Sequence, residues 1–213
     1  MTTDEQRLLR QWQAPDHIIN RLTDEDTIGC AWNNATYGDW RLWILSRILN
    51  TDQIHSLIMR ILDSTPCSTN PTHTTEPMLL KAHTEILRVS LLNRHASQNN
   101  RDWIITEAQT MLGLENQGSP QATFAEAILS AVQALLTDDP DERTDYLSEV
   151  CGYTAIAAQS NSHWLNPDAT PEEEKTAYEE REYIEAEQAN MVRHLFSRQD
   201  INAMIRLHIS NTY

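Results

Sequence analysis

The chain has 213 residues, 40% of them hydrophobic, and its 31 Asp and Glu against 16 Lys and Arg give a formal net charge of -15. Such a surface repels phosphate backbones and anionic lipid, which excludes direct binding to nucleic acid or to an acidic membrane from the expected functions. Five Gly and eight Pro are few for a turn-punctuated sheet protein, and the apolar content is too high for disorder.

A chain of this length can bury roughly 70% of the surface it exposes when unfolded, so it needs no metal or disulfide to hold a core. Cys30, Cys67 and Cys151 are odd in number and widely spaced, which argues against a disulfide framework and for a reducing compartment. The opening MTTDEQRLLRQWQ is acidic where a signal peptide is basic, and no apolar run approaches the ~18 residues of a membrane span. The expectation is a soluble, cytoplasmic protein.

Helical signals begin at once. Thr3 opens a capping box with Gln6 ahead of Leu8, Leu9 and Trp12, and Pro15 leads into a short apolar turn with Ile18, Ile19 and Leu22. Thr23 with Asp26 repeats the box before Ile28 to Trp32. Asp39 is placed to cap a helix carrying Trp40, Trp43, Ile44 and Ile48. Thr51 is placed to cap the next, where Ile54, Leu57, Ile58, Ile61 and Leu62 recur at helical spacing. On the tryptophan helix, Leu42, Leu45 and Leu49 widen the apolar face so far that burial is the expected state. Arg41 and Arg47 then mark what is left for water.

The segment DSTPCSTNPTHTTEP, residues 63–77, holds three prolines among Ser, Thr and Asn and reads as the longest loop. Helices are expected over residues 78–92 and 101–112, the second closed by Gly113 in the left-handed conformation. Ser119 and Pro120 open another, and Asp139 and Pro140 a fourth through Tyr146, Val150 and Tyr153. Thr170 and Pro171, with Glu173 completing a capping box, start the longest helix, in which Ala177, Ile184, Met191 and Leu195 share a stripe. A final segment carries Ile201, Met204 and Ile205, and no alternating strand pattern appears. The expected fold class is all-α: a single multi-helix bundle of about nine or ten helices, one domain over residues 1–213, with its weakest seam at residues 63–77.

Catalytic chemistry on helices needs ligands or acid–base groups at fixed spacing. The sequence has no HExxH, no Glu-x-x-His, no phosphate-binding glycine loop and no GxSxG. Glu187 and His194 are two turns apart, but Met191 stands where a di-metal helix needs a ligand. His73, Glu76, His83 and Glu85 are close in sequence, yet Pro77 interrupts them and His83 and Glu85 point to different faces. Cys30 and Cys151 sit on apolar faces without a nearby cation, as small buried hydrophobes do. The expectation is no catalytic residue, no metal and no cofactor.

Residues 138–187 hold fifteen acids against Arg143, Lys175 and Arg181. Asp138, Asp139, Asp141 and Glu142 cluster at one helix start and Glu172, Glu173 and Glu174 at another, where negative charge complements the helix dipole. That leaves Asp145, Glu149, Glu179, Glu180, Glu182, Glu185 and Glu187 as candidate partner-binding residues on the two long helices. A solvated, solubilising face is the plainer reading of the same residues.

At CAWNNATYGDWRLWILSRIL, Cys30 to Leu49, the sequence resembles a group of bacterial and phage-associated all-helical proteins with a Gly-Asp-Trp-x-Leu-Trp motif. Gly38, Asp39, Trp40, Leu42, Trp43 and Leu45 carry the match, and Cys30 and Trp32 are similar to its upstream part. The cover is about twenty residues. The group is loosely similar to immunity proteins, which neutralise a toxin by binding it, so the resemblance implies a class of function and no set of residues. The expected function is a non-enzymatic binding protein of immunity or inhibitor type whose acidic surface meets a basic protein partner. The alternatives are an adaptor or structural subunit docking through apolar helix faces, and an inhibitor that mimics nucleic acid.

Overall fold

The computed structural model describes residues 3–23, 27–34, 39–63, 76–113, 120–158 and 170–212. Its regular structure there is eleven helices and no strand, the all-α class that the helical periodicity predicts. They are α1 (Thr3–Gln11), α2 (Asp16–Thr23), α3 (Ile28–Asn34), α4 (Asp39–Ile48), α5 (Thr51–Asp63), α6 (Glu76–Leu92), α7 (Gln98–Leu112), α8 (Pro120–Leu136), α9 (Pro140–Ala158), α10 (Pro171–Leu195) and α11 (Arg198–Thr212). The candidate seam at residues 63–77 falls almost wholly outside the described residues, as do Asp26 and Gly38.

Local chemistry sets the helix ends. Pro120, Pro140 and Pro171 each occupy a first helical position, where the missing N–H costs nothing. Gly113 closes α7 at φ 63, its N–H donating to Thr110 O at 3.3 Å. Gln13 takes φ 54 after α1, with Ala14 N–H bonded to Leu9 O at 2.9 Å and Gln13 N–H to Arg10 O at 3.0 Å. That is the paired bonding of a left-handed helix stop, here on a residue other than glycine.

Two caps differ from expectation by position. The cap of α5 is Asn50, not Thr51: Asn50 Oδ1 accepts from Gln53 N and Gln53 Oε1 accepts from Asn50 N, both at 2.9 Å. A reciprocal box satisfies two backbone donors, which a lone threonine one residue later cannot do. At α3 the cap is Thr27, whose Oγ1 accepts from Cys30 N at 3.0 Å, while the buried Glu5 carboxylate of α1 accepts from Ile28 N at 3.2 Å.

The chain divides into two units, residues 1–48 with 189–213 and residues 49–188, with one boundary inside α10. In the first unit α3 lies against α11, and α1 and α4 also pack on α11. At Gly29 the side-chain amide of Asn202 on α11 lies where a Cβ would stand, so a larger residue there would have to turn that amide aside. The expected burial of the tryptophan helix holds: Trp40, Leu42, Trp43, Ile44, Leu45 and Ile48 are all buried.

Arg41 overturns its expected exposure. It is only 1% exposed, because its Nη2 donates to Trp32 O at 3.0 Å and its guanidinium lies 5.7 and 5.8 Å from the Trp32 and Trp40 rings. Burial, then the nearby Arg193 charge, pull its pKa down to about 10, so it stays charged at neutral pH. Arg47 is half-buried, stacked 3.7 Å over the Trp43 ring.

In the second unit α8 is the central helix, with α5, α6, α7 and α9 against it. Ala125, Ala127, Ile128, Ala131, Val132, Ala134 and Leu135 bury it almost all round, and the small alanines let α9 come close with Leu147, Val150 and Ala155. Gln188 Nε2 donates to Thr154 Oγ1 at 2.7 Å, tying α10 to α9 in the interior. Cys30 and Cys151 are half-buried, at the edges of the cores rather than inside them.

Candidate functional site

Charge is divided between the units. The first holds eight Asp and Glu against eight Arg, whereas the second holds 23 acids against eight bases, so the whole formal charge of -15 falls in the second. Four of its described acids, Asp138, Asp139, Asp141 and Glu142, stand where α8 turns into α9.

That corner is built from side chain to backbone bonds. Asp139 caps α9, its Oδ1 accepting from Asp141 N at 2.8 Å and Glu142 N at 3.3 Å. Arg143 folds back to donate to Thr137 O at 2.6 Å and Ala134 O at 3.3 Å, satisfying the carbonyls that end α8. Burial pulls the Arg143 guanidinium below its ordinary value, while Asp138 and Asp139 act to raise it. Asp138 pairs with Arg101 of α7 at 2.8 Å, and Glu142 Oε2 accepts from Thr137 Oγ1 at 2.7 Å. Asp138, Asp139 and Glu142 thus carry structural roles as well as charge.

Past the corner, Glu142, Tyr146, Glu149 and Tyr153 follow one another at spacings of four, three and four, one stripe along α9. Exposed Asp145 stands beside it. Glu149 Oε2 accepts from Ser130 Oγ of α8 at 2.8 Å, which fixes that carboxylate in place. Burial first, then Glu142, Glu149 and Asp145, push the Tyr146 phenol above its ordinary value. Burial first, then Glu149 and Glu126 of α8, do the same at Tyr153. A negative field therefore reaches both phenols, and the stripe offers carboxylates and phenol hydroxyls to a cationic side chain.

Of the candidate residues, Asp145 and Glu149 come together on α9. Glu179 is exposed on α10 and pairs with Lys175 at 3.7 Å, a solvent-exposed contact of small energetic weight. Glu180, Glu182, Glu185 and Glu187 lie on α10 with side chains outside those described. Tyr146 and Tyr153 are expected from the sequence only as residues of this helix, although the four-three-four spacing of acids and tyrosines marks them as one stripe, while Glu126 joins from α8 and has no such local signal. Among the described residues no three His, Cys, Asp or Glu side chains are grouped to hold a metal ion. No helix among them is long and apolar enough to cross a membrane. Comparison with protein-family models, curated proteins and solved structures finds no match to this chain.

Proposed function

We propose that the chain is a non-enzymatic binding protein of immunity or inhibitor type, working in the bacterial or phage-infected cytoplasm. Its second unit meets a basic protein through the stripe with Asp145 and Glu149, together with Glu179, Glu180, Glu182, Glu185 and Glu187 of α10. The observation that carries this reading is the division of charge, which puts the entire net -15 in one unit and fixes part of it around two tyrosines. Opposed potentials of this kind speed association and select partners by sign. The test is capture of partners at low salt by the intact protein and by its Asp145→Lys, Glu142→Lys variant. A basic protein held by the first, released by about 0.5 M salt and lost by the second supports the reading. Retention by the charge-reversed protein refutes it.

A second reading has its own support. Trp103 and Met111 are 61% and 59% exposed, two turns apart on α7, as an adaptor docking through an apolar helix face requires. Trp103→Ser would abolish partner capture under that reading and leave it intact under the first.

A further inference from the structure

The first unit contains a recess with the opposite sign to the acidic stripe. It has a volume of about 600 Å³ and is lined by Asn33 at the end of α3, Arg193 and His194 at the end of α10, and Ser197, Arg198 and Gln199 at the start of α11. This size matches small-molecule sites, which run roughly 300–1,000 Å³.

The lining is rich in donors and holds no carboxylate among the described residues. Two guanidiniums, one imidazole and two side-chain amides converge there. Arg193 Nη2 lies 3.5 Å from His194 Nε2, while the side chains of Asn33, Arg198 and Gln199 make no hydrogen bond or ion pair among the described residues.

Neighbouring acceptors are already taken. The carbonyls of Phe196, just past α10, and of Arg193 in its last turn accept from the buried Trp32 Nε1 at 2.9 and 3.4 Å. Asp200 turns back on Ser197, its Oδ2 accepting from the backbone N at 2.9 Å and from Oγ at 2.7 Å. The Asp200 carboxylate, though exposed, is engaged by Ser197, whereas Arg193 and Arg198 are among the residues that line the recess. Arg193 also stands close enough to the buried Arg41 to depress its proton affinity, a repulsion that an anion beside Arg193 relieves.

We propose that this recess binds a small phosphate-bearing molecule, held by Arg193 and Arg198 as paired guanidinium forks with the Asn33 and Gln199 amides at its edge. Guanidinium presents parallel N–H groups that match phosphate oxygens two at a time. A small ligand fits better than a polymer, because the recess holds only about 600 Å³ and the chain's net charge of -15 disfavours a long polyanion. The site is independent of the acidic stripe, and its test does not depend on any protein partner.

Calorimetric titration of the full chain with inorganic pyrophosphate at low salt tests it. The expected result is saturable binding that weakens roughly tenfold or more in Arg198→Gln and in Arg193→Gln. Arg206→Gln, an exposed arginine of the same unit outside the recess, should bind as the parent does. Arg198 has no hydrogen-bond or ion-pair partner among the described residues, so its variant should keep the parent's thermal unfolding, which separates lost binding from lost folding. Absence of binding at about 10 mM pyrophosphate overturns the proposal. So does equal weakening in Arg198→Gln and Arg206→Gln, or equally tight binding of the carboxylate trianion tricarballylate.

Discussion

Trp32 and Trp40 face each other edge to face at 5.8 Å, both fully buried, yet replacing each by phenylalanine should give very different results. Trp32 Nε1 donates to two carbonyls at the end of α10, those of Arg193 and of Phe196 just beyond it, while Trp40 Nε1 finds no acceptor among the described residues. The smaller ring leaves a comparable gap at either position, a cost of about 1 kcal/mol. In Trp32→Phe the carbonyls at the end of α10 also lose their donor, which adds roughly 1–3 kcal/mol and brings the expected loss to about 3 kcal/mol. In Trp40→Phe the change removes a buried N–H that was already without a partner, a relief of similar size to the gap, so the expected loss is about zero. Urea unfolding followed by far-ultraviolet circular dichroism is the assay, since each variant removes a fluorophore. Trp32→Phe should lower the midpoint by about 1–1.5 M urea and Trp40→Phe should barely move it. Equal midpoints for the two variants would refute the argument that the indole bond, rather than ring volume, anchors α10 to α3.

Three further outcomes follow from local geometry. Asn50→Ala breaks the α5 box and should cost about 1 kcal/mol in thermal unfolding, whereas Thr51→Ala should cost less than half of that. In Asp145→Asn, Glu142→Gln the Tyr146 phenol should titrate lower than in the parent but still above the ordinary tyrosine value, because burial is the larger cause of its shift. An unchanged phenolate absorbance titration would contradict the proposed field. Hydrogen bonds from Ser197 hold Asp200 below the ordinary aspartate value. A depressed folded-state pKa gives a contribution that is present above the unfolded value and lost as pH falls through the folded one. The protection factor of the Ser197 amide, its exchange rate corrected for the intrinsic pH dependence, should therefore hold through the ordinary aspartate range and fall only below it, and in Asp200→Asn that acid step should disappear.

Helix identity was legible because proline, glycine and apolar spacing act locally. Pro120, Pro140, Pro171 and Gly113 each mark an end by backbone constraint alone, and no tertiary contact overrides them. The α5 cap was legible to within a residue and the α3 cap, expected at Thr23, only to within four. Thr51 lost to Asn50 because Gln53 reaches back, and Thr27 replaced the expected pair at α3 while Glu5, 23 residues earlier, supplied a second acceptor. Arg41 was misread for a different reason. A charged residue between apolar neighbours is ordinarily solvent-facing, and only the fold brings two indole rings and a main-chain carbonyl around it. The acidic stripe was half visible: Asp145 and Glu149 were singled out by charge, but the tyrosines needed the α9 face, and the Ser130 bond needed α8 beside it. The basic recess was hidden, since Asn33 is some 160 residues from the arginines it faces.

The Trp32 bonds also set an order of events during synthesis. Their acceptors follow Trp32 by 161 and 164 residues, and the whole of the second unit is translated in between. At about 5–20 residues per second the indole waits roughly 10–30 s before either carbonyl leaves the ribosome. Through that interval α1 to α4 hold an apolar, tryptophan-rich surface without α11 to cover it, while residues 49–188 emerge and are complete only at its end. The acidic unit emerging behind gives the nascent chain its like-charge repulsion during this exposed period, so the segment that carries the -15 also serves as the chain's own solubiliser while the neutral unit is unfinished.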